Sequence, residues 1–173
     1  MTKRIRVSFD WDGVHADFNG HAEAEFGAQP RDLTFDCPER GELKGDEALW
    51  AHVATSQTFW SHAPVFHGSP ELFAIAEPYG VQFITGCPRD GFERAAAEKT
   101  AKINALFPGV PVITCRSRDK AVHMQQPGDI LVDDFIANIR RWEKAGGYSV
   151  YYKSHEQAVE DLKAGLARQF PEI

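Results

Sequence analysis

Four places in this 173-residue chain set polar, chemistry-bearing residues directly behind a short apolar run. After Ile5, Val7 and Phe9 come Asp10 and Asp12, flanking one residue and followed by Gly13. After DILV come Asp133 and Asp134, and after VQFI comes Thr85-Gly86. After the run Val112 to Thr114, the stretch CRSRDKAV carries Arg116, Arg118 and Lys120. Carboxylates gathered at one place repel unless a cation or a shared proton holds them, and hard oxygen ligands favour Mg²⁺. A hydroxyl followed by a glycine, whose bare backbone lets an anion approach the N–H, suits a phosphate oxygen. Lys120, read at a helix start, is placed to neutralise a phosphate and the carboxylates together. The plainer readings are an Asp-rich turn capping the next helix, and a solvated basic loop.

The elements that must bring these four places together can be read from periodicity. Ile5 to Phe9 reads as a strand, and Val14 to Phe26 as a helix with Phe18, Ala22 and Phe26 on one face, ended by Gly27. Residues 28–45, rich in Pro, Gly, Asp and Glu, read as irregular, and 46–56 as a short helix with Asp46 as N-cap. From Ser69 a β/α rhythm begins: a helix opened by Pro70, a strand 81–85, a long helix 90–107 with Asp90 as N-cap, a strand 112–114, a helical segment 121–126, a strand 130–132, a helix 135–145 ended by Gly146-Gly147, a strand 149–152 and a helix 155–170. This rhythm predicts an α/β fold, a three-layer Rossmann-like parallel sheet of about five strands with right-handed crossovers. Ligands gather outside the carboxyl ends of such strands, so the four places converge on one cleft. The stretch from His15 to about Phe66 lacks the rhythm and reads as a small, mainly helical cap inserted after the first strand. The expected organisation is a core of residues 1–14 and 68–173 with a cap of 15–67.

Composition bounds the function. With 43% hydrophobic residues the chain can bury one sizeable core. The opening MTKRIRVSFD runs straight into a strand, so neither a signal peptide nor a transmembrane helix is expected, and the expected location is cytoplasmic. Cys37, Cys87 and Cys115 are an odd number with no paired spacing, which argues against a disulfide framework or a thiolate zinc site. A net charge of −6 disfavours long nucleic acid, while a local basic patch can still draw in a small phosphorylated molecule.

DWDGV, the strand ending in Thr85, Lys120 and the Asp133-Asp134 pair occur in the order and context of the four motifs of haloacid dehalogenase-like phosphohydrolases, and the chain resembles that superfamily. Within it, DGVHADFN, FITGCP, Glu98-Lys99, RDKAV and ILVDD look like the 5′(3′)-deoxyribonucleotidase branch. The resemblance covers most of Ile5 to Phe18 and Val81 to Asp134; Gly20 to His67 matches poorly, and His15 and Gly86 depart from the pattern. It implies that Asp10 attacks phosphorus and becomes an aspartyl phosphate, while Asp12 protonates the leaving oxygen and later deprotonates water. It further implies Mg²⁺ held by the Asp10 carboxylate, the Asp12 carbonyl and Asp134, with Asp133 nearby or acting through water. Thr85, the Gly86 N–H and Lys120 then bind the other phosphoryl oxygens, and Phe18 and Trp60 enclose the base and sugar.

Other candidates carry less. His52, His62 and His67 with Cys37 match no familiar zinc spacing. Phe59, Trp60 and Phe66 are divided between cap packing and stacking on a substrate. The reading that results is a Mg²⁺-dependent phosphatase for a small phosphomonoester, a (deoxy)nucleoside monophosphate foremost, with no long nucleic acid and no membrane as partner. Its oligomeric state is open, a homodimer included. The competing readings are a phosphatase for nucleic-acid 3′ ends, one for a non-nucleotide metabolite, and a non-enzymatic phospho-binding module, which would be expected to have lost Asp10, Asp12 or Lys120.

Overall fold

The computed structural model describes residues 6–169. In chain order its elements are β1 Val7–Phe9, α1 Phe18–Phe26, β2 Thr34–Cys37, β3 Gly41–Lys44, α2 Asp46–Thr55, α3 Phe59–His62, α4 Ser69–Ala76, β4 Val81–Gly86, α5 Phe92–Leu106, β5 Val112–Cys115, β6 Ile130–Asp133, α6 Ile136–Lys144, β7 Tyr148–Tyr151 and α7 His155–Gln169. Ile5 and Phe170, expected in the first strand and the last helix, lie outside the described residues.

Five strands form one parallel sheet in the order β5-β4-β1-β6-β7. Phe9 sits between Phe83 and Val132 in the register, so β1 is flanked on both sides and its VSF run is fully buried. Alternation along the central strands sends side chains to opposite faces. Val7, Phe9, Phe83 and Val132 join Leu72, Ile103 and Leu162 from helices in one cluster, while Ile84 and Leu131 pack with Trp142 of α6 in another. Those two clusters make the three layers of the α/β fold. The polar residues between them are paired: Gln82 Nε2 donates to Ser8 Oγ at 2.9 Å across the β1–β4 pair.

Several boundaries differ from the sequence expectation, each for a local reason. The first helix starts at Phe18, capped by Asp17 Oδ1 accepting from the Gly20 N–H, because 13–16 form a tight loop in which the N–H groups of His15 and Ala16 both donate to the Trp11 carbonyl. Residues 34–44, expected as irregular, form the antiparallel hairpin β2–β3. Gly45 and Gly91, both at positive φ, are the N-caps of α2 and α5, so Asp46 falls inside the first turn and Asp90 outside the helix. Lys120 lies within a 3₁₀ helix, Ser117–His123, rather than at the start of a segment 121–126, and Pro127 forbids the helix from running on.

The insert between β1 and β4 has its own apolar cluster, including Ala22, Leu33, Leu49, Val53, Phe59 and Trp60, which continues into Cys87 and Ala95 of the sheet side. Helix α5 grips it. Arg94 Nη2 donates to the Val53 and Ala54 carbonyls at 3.3 and 2.9 Å, satisfying the end of α2, and Lys102 Nζ donates to Ser61 O at 2.8 Å and to Ala63 O. Among the described residues no helix is long and apolar enough to cross a membrane.

Candidate active site

Because β1, β4, β5 and β6 run parallel, their carboxyl ends open on one edge. The chain leaves β1 to build β4 and β5 on one side and returns for β6 and β7 on the other, which opens a crevice at the end of β1. A cavity of about 840 Å³ lies there, lined among others by Asp10, Asp12, Gly86, Lys120, Asp134, Phe18, Trp50 and Trp60. Its size falls in the range of sites that take small-molecule ligands.

Lys120 ties two strand ends together. Its Nζ lies 2.6 Å from Asp10 Oδ2 and 2.7 Å from Asp133 Oδ2, with 2% of the side chain exposed. Burial alone would lower its pKa, but these two carboxylates raise it above the ordinary lysine value, so the group stays cationic. Asp133 is saturated by protein donors: besides Lys120 it accepts from the Phe135 N–H at 2.8 Å and from Asn138 Nδ2 at 3.1 Å. The Asp134 side chain, by contrast, makes no hydrogen bond or ion pair among the described residues. Burial, then the charges of Asp10 and Asp133, push its pKa up to about 7, while Asp133 is pushed to about 6, chiefly by burial. One carboxylate oxygen from each of Asp10, Asp133 and Asp134 falls within 4.8 Å of the others.

Asp12 points elsewhere. Its Oδ2 pairs with Lys99 Nζ, a lysine buried to 0% exposure on α5, and the same ammonium donates to Gly86 O at 2.6 Å and lies 4.0 Å from the centre of the Trp60 ring. Burial raises the Asp12 pKa, Lys99 opposes this, and Asp10 adds to it. Four carboxylates thus face two ammoniums, an excess of two negative charges that a divalent cation cancels and a proton on Asp134 halves. The chemistry of the donor set fits Mg²⁺: the ligands are all hard oxygens, and the Asp134 carboxylate is free among the described residues.

Gly13 lets this arrangement form. At φ 75° it turns the chain after β1, and a Cβ there would sit 1.9 Å from Asp134 Oδ2. Behind the loop, His15 is fully buried, its Nδ1 2.5 Å from Ser69 Oγ, its ring stacked on Trp11 at 5.9 Å. Trp11 is buried packing, and its N–H donates to Asp10 Oδ1 at 2.7 Å, fixing that carboxylate.

The structure brings Asp10, Asp12, Gly86, Lys120 and Asp134 to one cavity, with Asp133 behind Lys120. Thr85 is fully buried, its hydroxyl 3.5 Å from Lys99 Nζ, one residue short of the cavity lining. Phe18 and Trp60 line the cavity as neighbours, ring centres 5.8 Å apart, but Trp60 is 3% exposed, wedged between Phe18, Phe59 and Lys99. Two residues were not singled out for a role from sequence. Lys99 had a signal: it stands between Ala95 and Ile103 on the buried face of α5, where a lysine needs a partner. Trp50 is 45% exposed at the cavity and 5.8 Å from Phe18, and nothing in its local pattern separates it from cap packing.

No family model and no curated protein matches the chain. A solved structure described as a hydrolase from Streptococcus pneumoniae TIGR4 is similar to it, with a TM-score of 0.52 and 15% identity over 93% of this chain and 99% of that one. At that identity the likeness is one of fold: this chain shares with that hydrolase an α/β architecture, here a five-stranded parallel sheet flanked by helices, whose strand ends carry the cavity just described.

Proposed function

We propose that the chain is a Mg²⁺-dependent phosphatase of haloacid dehalogenase type that hydrolyses a nucleoside monophosphate, a deoxyribonucleotide foremost. The observation that carries this reading is Lys120 bridging Asp10 and Asp133 while Asp134 stands unpaired beside them. It puts a carboxylate nucleophile, a fixed cation and an open metal-binding oxygen within one phosphoryl group's reach. That the similar solved structure is described as a hydrolase agrees with it.

In this mechanism Asp10 Oδ attacks phosphorus in line, forming an aspartyl phosphate as the ester bond breaks, and Asp12 gives its proton to the departing oxygen. Burial, which raises the Asp12 pKa, favours the protonated form that this step needs, and Lys99 orients the carboxyl. Asp12 then takes a proton from water, whose oxygen attacks phosphorus and restores Asp10. Mg²⁺ on Asp10, Asp134 and the Asp12 carbonyl would supply charge neutralisation on the phosphoryl oxygens. Lys120 and the Gly86 backbone serve the remaining oxygens. The residues of the 15–67 cap close the cavity, and Phe18, Trp60 and Trp50 give it an aromatic wall suited to a base and sugar.

The test is phosphate release by purified protein with Mg²⁺ across deoxy- and ribonucleoside 5′- and 3′-monophosphates, sugar phosphates and a 3′-phosphorylated oligonucleotide. Among compounds with a single anionic group, a deoxynucleoside monophosphate is expected to be the best substrate. Phe18→Ala and Trp50→Ala, which remove the rings open to the cavity, should each cut its kcat/KM by about five- to a hundred-fold, the worth of one stacking ring, with little loss on p-nitrophenyl phosphate. Equal losses on both substrates would make the rings cap core and remove the nucleotide from the reading.

A further inference from the structure

The cavity has basic side chains away from the scissile position. Arg40, Arg89, Arg116, Arg118 and Arg141 line it together with Lys120, against the carboxylates of Asp10, Asp12, Asp46, Glu47, Asp90 and Asp134. Lys120 already serves the scissile position. Three of the arginines are engaged: Arg40 with Glu47 at 2.6 Å, Arg118 with Asp119 at 3.7 Å, and Arg141 with Asn138 Oδ1 at 3.2 Å. The side chains of Arg89 and Arg116 make no ion pair or hydrogen bond among the described residues, although Asp46 and Asp90 line the same cavity; Arg89 is exposed and Arg116 is partly buried. A guanidinium drawn out of water without a partner is costly, and a planar fork of donors is the group that takes phosphate or carboxylate in bidentate fashion.

Their placement is directional. Gly86 and Cys115 are register partners at the ends of β4 and β5, and Arg89 and Arg116 follow those two residues closely in sequence. Both therefore leave from neighbouring strand ends on the β5 side of β1, whereas Asp134 and Phe135 leave from β6 on the other side. A substrate whose phosphoryl group meets Asp10 and Lys120 can extend along the cavity toward this pair, and about 840 Å³ leaves room for more than a phosphate and a base.

We infer that Arg116, with Arg89, forms a second-anion subsite, so that the substrate is a phosphomonoester whose leaving group carries a further phosphate or carboxylate. This rests on the phosphatase reading and narrows its substrate class. The shared chemistry is an oxyanion at a distance from the scissile phosphoryl, and two sources present it: a nucleoside bisphosphate and a phosphorylated carboxylic acid.

The experiment measures kcat/KM for the full chain with Mg²⁺ on deoxyadenosine 5′-monophosphate, deoxyadenosine 3′,5′-bisphosphate, 3-phosphoglycerate and p-nitrophenyl phosphate, in wild type, Arg116→Gln and Arg116→Lys. The expected result is a preference of about tenfold or more for one of the two doubly anionic compounds over the compounds with a single anionic group. Arg116→Gln should abolish most of that preference, with a far smaller loss on p-nitrophenyl phosphate, and Arg116→Lys should restore part of it. Whichever compound shows the effect identifies the source. An unaltered thermal midpoint in Arg116→Gln is expected, because the side chain pairs with nothing in the fold. Phosphate release without a doubly anionic preference, or an equal loss on all four compounds, overturns the subsite and leaves the phosphatase standing. Release from none of them overturns both.

Discussion

His15 is an imidazole placed where its surroundings disfavour the protonated form. It is fully buried among Phe9, Trp11, Phe83 and Phe107, bonded at Nδ1 to Ser69, and its Nε2 has no hydrogen-bond partner among the described residues. Burial, with a smaller contribution from His155, lowers its pKa from 6.5 to about 3. In the unfolded chain the ring titrates near 6.5, so below that pH the unfolded state binds a proton that the folded state refuses, and stability falls as pH drops from about 6.5 toward 3. At pH 5 the loss is about 1.36 kcal/mol per unit over roughly 1.5 units, or about 2 kcal/mol. Asp133 and Asp134 act in the opposite sense: their folded pKa values are raised from 3.8 to about 6 and about 7, so their burial is least costly below about 3.8, grows costlier as pH rises and levels off above the folded values. The His15 contribution is therefore isolated by difference. His15→Asn keeps a polar atom near Ser69 but cannot titrate, and urea unfolding of both proteins should show wild type more stable at about pH 7.5, with the gap narrowing by about 2 kcal/mol at about pH 5. A gap that stays constant across that range would mean that the folded imidazole titrates as it does in water, and would refute the buried, neutral placement.

Three further outcomes follow from the same geometry. Gly13→Ala should cost about 1–3 kcal/mol of stability from the positive φ alone and depress phosphate release severely, because the new methyl would occupy the place of Asp134 Oδ2; denaturant midpoints and turnover check both. Lys99→Met should destabilise by about 3–5 kcal/mol by stranding a buried Asp12, and adding Asp12→Asn should recover much of that in thermal melts without recovering turnover. Mg²⁺ should raise the thermal midpoint, by about 2.7 kcal/mol of linkage at a hundredfold excess over Kd, and Asp134→Ala should blunt the shift; an equal shift in the variant would take Asp134 out of the metal site.

The sheet and the strand-end residues were legible in the sequence because each strand is a short apolar run stopped by polar groups, and parallel connection then forces those stops to one edge. Asp10, Gly86, Lys120 and Asp134 were found that way. The hairpin β2–β3 was not, since four-residue strands whose faces are only half buried, in a stretch rich in Pro, Gly and acids, leave no period to count. Helix starts slipped where glycine, not the neighbouring aspartate, was the cap, as at Gly45 and Gly91. Lys99 reaches Asp12 across 87 positions, and such a pairing is fixed by packing rather than by any local pattern. The burial of Trp60 depends likewise on Lys99 and Phe59 closing over it, whereas Trp50, between the buried Leu49 and Val53 of α2, stays open to the cavity.

The covalent step is the centre of the account, and it can be caught directly. Wild-type protein is mixed with Mg²⁺ and its best phosphomonoester, quenched in acid during turnover, digested and examined by mass spectrometry for a phosphoryl group, with Asp10→Asn treated in parallel. The account predicts an acid-stable, hydroxylamine-labile phosphoryl group on Asp10, and neither label nor turnover in Asp10→Asn. Phosphate release by Asp10→Asn at the wild-type rate, or sustained wild-type turnover with the phosphoryl group on a residue other than Asp10, would contradict it.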